Sequence, residues 1–299
     1  MKELLKNISP LNDRREMPKA QFVMKKILAF WLCYIGGLLL AEGAVILLHF
    51  AAGKNMLVGD VFDSRTITLI TYYGYAIVAG VTLLYWKWVE KKSFAEMGLS
   101  GSWKSFFAGA LLGGFLLSLS VGTILLTGSI TCQGVFDRVD LPGLLLLAGG
   151  FLVQGTTEEL LCRGLVFHGL KEKISPAVAG EISAILFLLP HLPSLLGGSV
   201  GYSLIGIVNL LLISTIFTQL TTSFRSIWAA CGLHAFWNFG LYGLLGLNVS
   251  GSSQAVMALL KMEAQGESIW NGGGYGIEAS ILTTAVLAVG ALGLRKRSE

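Results

Sequence analysis

The sequence predicts an all-α, polytopic integral membrane protein of about eight transmembrane helices, and three observations predict it. Of its 299 residues, 54% are hydrophobic and only 13% charged, where a soluble domain carries roughly 25% charged residues. The charges cluster between apolar runs, several of which reach the roughly 18 residues that a membrane helix requires. One of these runs is interrupted by Glu158, Glu159 and Arg163, a placement costing about 2.5–3.5 kcal/mol per charge on insertion scales. Such charges face a protein interior or a watery cavity and do a job there. The net charge of +4 therefore reads as membrane topology, and no nucleic-acid partner is expected. Cys33, Cys132, Cys162 and Cys231 form no CxxC pair and suggest neither a disulfide framework nor a zinc cluster.

Residues 1–26 form a polar, basic tail, residues 27–294 a single transmembrane helical domain, and residues 295–299 a basic C-terminus. The first apolar run is too long for a cleaved signal peptide and lacks a small-residue cleavage site. The expected spans are Ile27 to Phe50, Ile67 to Val89, and Phe106 to Leu126, the third rich in the glycine and serine that let helices approach closely. The fourth, Leu141 to about Leu170, carries the acidic pair, and its length suggests tilt or a break around Gly149, Gly150 and Gly155. The fifth, Pro176 to Leu196, ends or bends where His191 lies between Pro190 and Pro193. Tyr202 to Leu220 and Ile227 to Leu247 follow, then a polar loop with an amphipathic piece near Gln254 to Met262, and a last span from Tyr275 to Leu294.

Eight spans put both termini on one side. Most of the 22 Lys and Arg residues fall on that side, and the other carries only Lys54, Arg65, Arg138 and Lys261. The positive-inside bias places both termini in the cytoplasm. Tyr72, Tyr73, Tyr75, Tyr85, Trp86 and Trp88 read as belt aromatics at headgroup level, and His49 and His168 as interfacial. Glu181 and Glu278, near span ends, are expected to reach headgroups, whereas Glu42 is a possible cavity lining.

Three polar islands remain: Glu158, Glu159 and Arg163 in span four, His191 in span five, and His234 with Asn238 in span seven. On a helix, Glu159 and Arg163 are i,i+4 neighbours and Glu158 is turned about 100° away, so one acid is held by the arginine while the other is free to work. At about 1.5 Å per residue, Glu158 lies roughly 18 Å and His234 roughly 12 Å from the cytoplasmic ends of their spans, with room for His191 in the same layer.

The patterns EExxxR (Glu158, Glu159, Arg163), FxxxH (Phe187, His191) and HxxxN (His234, Asn238), in this order on separate helices, resemble the CPBP intramembrane endopeptidases. That family includes the CAAX prenyl protease type 2 enzymes and the bacterial Abi or bacteriocin-immunity proteins. The resemblance covers residues 141–247. It implies hydrolysis of a peptide bond in a membrane-associated protein or peptide, with Glu158 activating a water, His191 and His234 assisting, and Asn238 holding the oxyanion. Glu159 and Arg163 would be structural or orienting. A general base must stand near its water, and a tetrahedral oxyanion needs fixed donors in a dry site. No cofactor is expected. The alternative is a zinc-dependent peptidase with Glu158, His191 and His234 as ligands, although no HExxH helix favours it. A non-catalytic membrane scaffold of the same family is a second class of reading, and a proton-coupled carrier a third, without evident inverted repeats. The expected location is a bacterial cell membrane, with the site opening toward the cytoplasmic leaflet. The sequence leaves the oligomeric state open.

Overall fold

A computed structural model describes residues 8–12, 16–136, 138–252 and 255–298 of the chain. Lys2, Lys6, Arg14, Arg15, Asp137, Gln254 and Glu299 lie outside the described residues, as do the side chains of Lys296 and Arg297.

Apolar runs become helices because a buried or lipid-facing backbone must satisfy its own hydrogen bonds. The helices are α1 (Lys19–Ala51), α2 (Ser64–Trp88), α3 (Trp103–Leu126), α4 (Leu141–Glu159), α5 (Pro176–Leu188), α6 (Leu192–Leu196), α7 (Val200–Phe224), α8 (Trp228–Phe239) and α9 (Ile281–Ser298). Their starts follow capping chemistry. Asp63 accepts from Thr66 N at 3.1 Å, and Asp140 accepts from Gly143 N at 3.2 Å with Pro142 in the first turn.

Among the described residues eight longer helical rods result once continuous pieces are joined. α4 runs on as a π-helix, Leu160–His168, and α8 as a second, Gly240–Leu244. α5 passes through a single-turn 3₁₀ segment, Leu189–His191, into α6, so the α-helical pattern is interrupted at Pro190. Among the described residues six rods are long and apolar enough to cross a bilayer. The seventh and eighth are shorter.

Of the two expectations for this long span, tilt or a break around Gly149, Gly150 and Gly155, the break is not found. α4 is regular through all three, and its irregularity comes after Glu159 instead. Those glycines are contact points: Gly149 and Gly150 pack against Tyr73 and Tyr72 of α2. α4 with its π extension is the central rod, touching α1, α2, α5, α7 and α8. α3 and α8 form the closest helix pair. Cβ atoms added at Gly109 or Gly232 would overlap the carbonyls of Ala229 and Phe106, which is the close approach that small residues permit.

Several surface assignments change. Trp86 is fully buried and donates its indole N–H to Ser93 O at 2.8 Å. Tyr85 donates to Pro10 O at 2.6 Å, and Tyr72 and Tyr75 line an internal cavity. Of the expected belt, Trp88 and Tyr73 are the exposed members. His49 sits at a span end but is buried, its Nδ1–H donating to Val45 O at 2.9 Å. Glu42 is exposed on α1. At the end of the molecule that carries the termini, Glu90 is buried with Lys25 at 3.2 Å and Lys26 at 2.7 Å. Burial alone would raise the Glu90 carboxyl, but the two ammonium groups hold it below the ordinary glutamate range.

The expected amphipathic piece after span seven is a strand where it is described as regular. β2 (Leu260–Ala264) pairs antiparallel with β1 (Ile130–Val135), with Ile130 opposite Ala264 and Cys132 opposite Met262. This two-stranded sheet joins the loops after α3 and α8 on the side away from the termini.

Candidate active site

All three sequence islands meet on α4, α5 and α8. Gly155 lets α8 approach α4, since a Cβ there would lie 3.2 Å from Ala235 N and 3.3 Å from His234 Cγ. The pairing expected of Glu159 is present: its Oε1 lies 3.1 Å from Arg163 Nη1, both side chains fully buried. The same oxygen also accepts from His234 Nδ1–H at 3.0 Å. That bond leaves His234 Nε2 directed at Glu158, 3.6 Å from its Oε2. The carboxylate behind the imidazole fixes the ring's tautomer and orientation.

Arg163 is anchored on its far side by α7, donating to Ser214 O at 2.9 Å and Ser214 Oγ at 2.5 Å. Its guanidinium lies over Phe187 and Phe217, 5.1 and 4.8 Å from the ring centroids. Phe217 also stacks on His234, with centroids 4.9 Å apart and planes inclined by 16°. Phe187, the aromatic of the FxxxH pattern, contacts Arg163, His191 and His234 together. A fully buried cation is costly unless its donors are met and its surroundings polarisable. Glu159, Ser214 and the two rings supply much of that environment, while Arg163 Nε has no hydrogen-bond partner among the described residues.

Glu158 is set by a residue the motifs do not contain. Gln154, one turn earlier, donates its amide to Glu158 Oε1 at 2.6 Å and accepts from Asn238 Nδ2 at 3.0 Å. The chain Asn238–Gln154–Glu158 thus ties α8 to α4. Among the described residues Glu158 Oε2 has no hydrogen-bond partner. An amide nitrogen carries two hydrogens, so Asn238 keeps one donor beyond its bond to Gln154.

His191 is held by its own helix, Nδ1–H donating to Phe187 O at 2.8 Å, which leaves Nε2 as the free nitrogen. It makes no direct bond to the glutamates among the described residues. It joins them across a cavity of about 240 Å³ that Gln154, Glu158, His191 and Asn238 share. The cavity is a cleft with Tyr34, Tyr72 and Tyr75 on the α1–α2 side and Pro190 and Ser194 on the α5–α6 side. Leu161 and Cys162 of the π segment line its end toward the termini, and Val249 and Ser250, in the loop after α8, line the opposite end. Buried side chains thus line the end of the cleft toward the termini, and loop residues line the other.

Zinc bound by His and carboxylate needs its ligands converging at about 2.0–2.2 Å from one point. Among the described residues no group of three or more His, Cys, Asp or Glu side chains could hold a metal ion. Glu158, His191 and His234 share a region, with His234 Nε2 3.6 Å from Glu158 Oε2 and His191 across the cavity.

Gln154, Ser214 and Phe217 escaped the sequence reading. Gln154 had a signal, a polar side chain four residues before Glu158 in an apolar run. Ser214 and Phe217 had none, because serine and phenylalanine are ordinary in a membrane helix.

The class that fold and site define is an integral membrane protein with a buried site of carboxylate, imidazole and amide. Residues 140–240 match the family model of the Type II CAAX prenyl endopeptidase Rce1-like proteins. The match bears out the resemblance to the CPBP and CAAX protease family over the helices that build the site, and it implies an intramembrane endopeptidase. No curated protein matches the chain.

Proposed function

We propose that the protein is a metal-independent, glutamic intramembrane endopeptidase acting on a membrane-associated peptide or protein. The observation that carries this reading is Glu158, one oxygen fixed by Gln154 and the other unpartnered beside the cavity shared with His191 and Asn238. In that role Glu158 takes a proton from a water as the water attacks the scissile carbonyl. The second N–H of Asn238 donates to the oxyanion in a site sheltered from bulk solvent. The proton taken by Glu158 passes to Nε2 of His234, 3.6 Å away and backed by Glu159 and Arg163, and from there to the leaving nitrogen as the C–N bond breaks.

With both termini in the cytoplasm, as the distribution of Lys and Arg favours, the loop-lined end of the cleft faces the outer half of the membrane, and substrate segments enter from there. The test is cleavage of a library of membrane-anchored peptides by the purified protein in lipid. Glu158→Gln is expected to lower turnover by at least about a hundredfold while the protein stays folded, and a chelator is expected to leave the wild type unchanged. Full activity of Glu158→Gln would point to the scaffold reading of the cluster. Chelator inhibition reversed by zinc would restore the metal reading.

A further inference from the structure

Glu278, expected at the headgroups, lies instead against the catalytic helix. It sits in the turn Ile277–Ala279 that precedes α9, and its carboxylate accepts from two separate elements. Oε1 takes the indole N–H of Trp237 at 3.1 Å, and Oε2 takes the backbone N–H of Ser250 at 2.5 Å, with Ser250 Oγ 3.4 Å away. The turn is itself pinned to α7, because Asn209 donates its amide to the carbonyls of Glu278 at 2.9 Å and Ser280 at 3.0 Å. The carboxylate is thus presented from a fixed base.

Both partners belong to the site's surroundings. Trp237 precedes Asn238, and Ser250 lines the cleft of Glu158 as well as a smaller void that reaches His191, His234 and Glu278. Ser250 is held at φ +51°, followed by Gly251 at φ +75°. A left-handed conformation is unfavourable for a residue with a side chain and persists where the surroundings over-determine it. The Ser250 N–H bound to Glu278 is one such determinant, and Gly251 N, which donates to Tyr275 O at 3.2 Å, is another.

Resting on the peptidase reading, we propose that Glu278 is a positioning residue, whose carboxylate clamps the Ser250 loop to Trp237 and so fixes the cleft wall that holds a substrate backbone near Glu158. An ionised carboxylate satisfies two N–H donors at once. Glutamine satisfies one and turns its own N–H toward the other, and alanine satisfies neither.

The experiment uses the full-length protein in lipid with a fluorogenic membrane-anchored peptide that the wild type cleaves. Glu278→Ala is expected to lower kcat at least about tenfold, with KM changed less than about threefold, because misplacement of the reacting groups acts chiefly on turnover. Glu278→Gln is expected to recover part of the loss. In parallel, Ser250→Cys in a Cys132→Ser background, which keeps the clamped backbone N–H, reports on the loop through its maleimide labelling rate. Adding Glu278→Ala should raise that rate by about tenfold. If Glu278→Ala does not fold, Trp237→Phe, which keeps the ring and removes the donor, carries both readouts in the same direction. An unchanged kcat in a folded variant overturns the proposal. So does a reduced kcat with unchanged labelling, since the loss would then not pass through the loop. Cleavage surviving in Glu158→Gln would instead sink the peptidase assignment of Glu158, while the labelling result would still report on the clamp.

Discussion

Gln154 gives the carboxylate of Glu158 a fixed direction, and it does so by standing between that group and Asn238. A hydrogen bond to a charged group contributes about 1.5–3 kcal/mol, so Gln154→Ala is expected to lower kcat by about ten- to a hundredfold. Steady-state kinetics on a cleaved peptide checks this, with a melting temperature close to wild type. Activity equal to wild type would remove Gln154 from the site. The motif residues were legible because a charge or imidazole in an apolar run has few innocent explanations. The pairing of Glu159 with Arg163, with Glu158 turned aside, also followed from helix geometry alone. That Glu159 serves Arg163 and His234 at once was not legible, because the second partner arrives from another helix.

At the scale of elements, both helices that supply the central residues turn π-helical just beyond them, α4 after Glu159 and α8 after Phe239. π-helical turns concentrate at functional sites because they redirect side chains and loosen backbone bonding. Here Ser183 donates its hydroxyl to Cys162 O at 2.7 Å, and His168 donates to Arg163 O at 2.8 Å. The α3–α8 contact holds this arrangement from behind. Gly232→Ala would drive a methyl into the Phe106 carbonyl, which belongs to backbone and cannot swing away. The expected cost is about 1–3 kcal/mol, read as a lower melting temperature in detergent. Gly36→Ala, where the added methyl meets nothing within 4 Å, is the matched control and is expected to be neutral or slightly stabilising. Span positions came through from hydropathy, whereas the β1–β2 pair did not. Its strands lie more than a hundred residues apart in sequence, and neither shows a clean period of two. The tyrosines of α2 were misread because composition marks an aromatic as amphipathic without saying which way its face of the helix turns.

For the molecule as a whole, the orientation of the cleft follows from which loops line it. Cys132 lies on β1, on the side away from the termini, and is the exposed cysteine among the described residues, while Cys33, Cys162 and Cys231 are buried. A membrane-impermeant maleimide applied to intact bacteria expressing the protein is therefore expected to label the wild type and to leave Cys132→Ser unlabelled. Labelling only after the cells are opened would reverse the orientation and return the cleft's loop-lined end to the cytoplasmic side. By itself the sequence determined a many-helix membrane protein, its span order and the chemical types at its site, because hydropathy and misplaced charge are local properties of a chain. Only the tertiary structure decided which polar groups meet, which end of the cleft the loops line and where Glu278 points. Those depend on how separate helices rotate and pack against one another, and no single segment records that rotation.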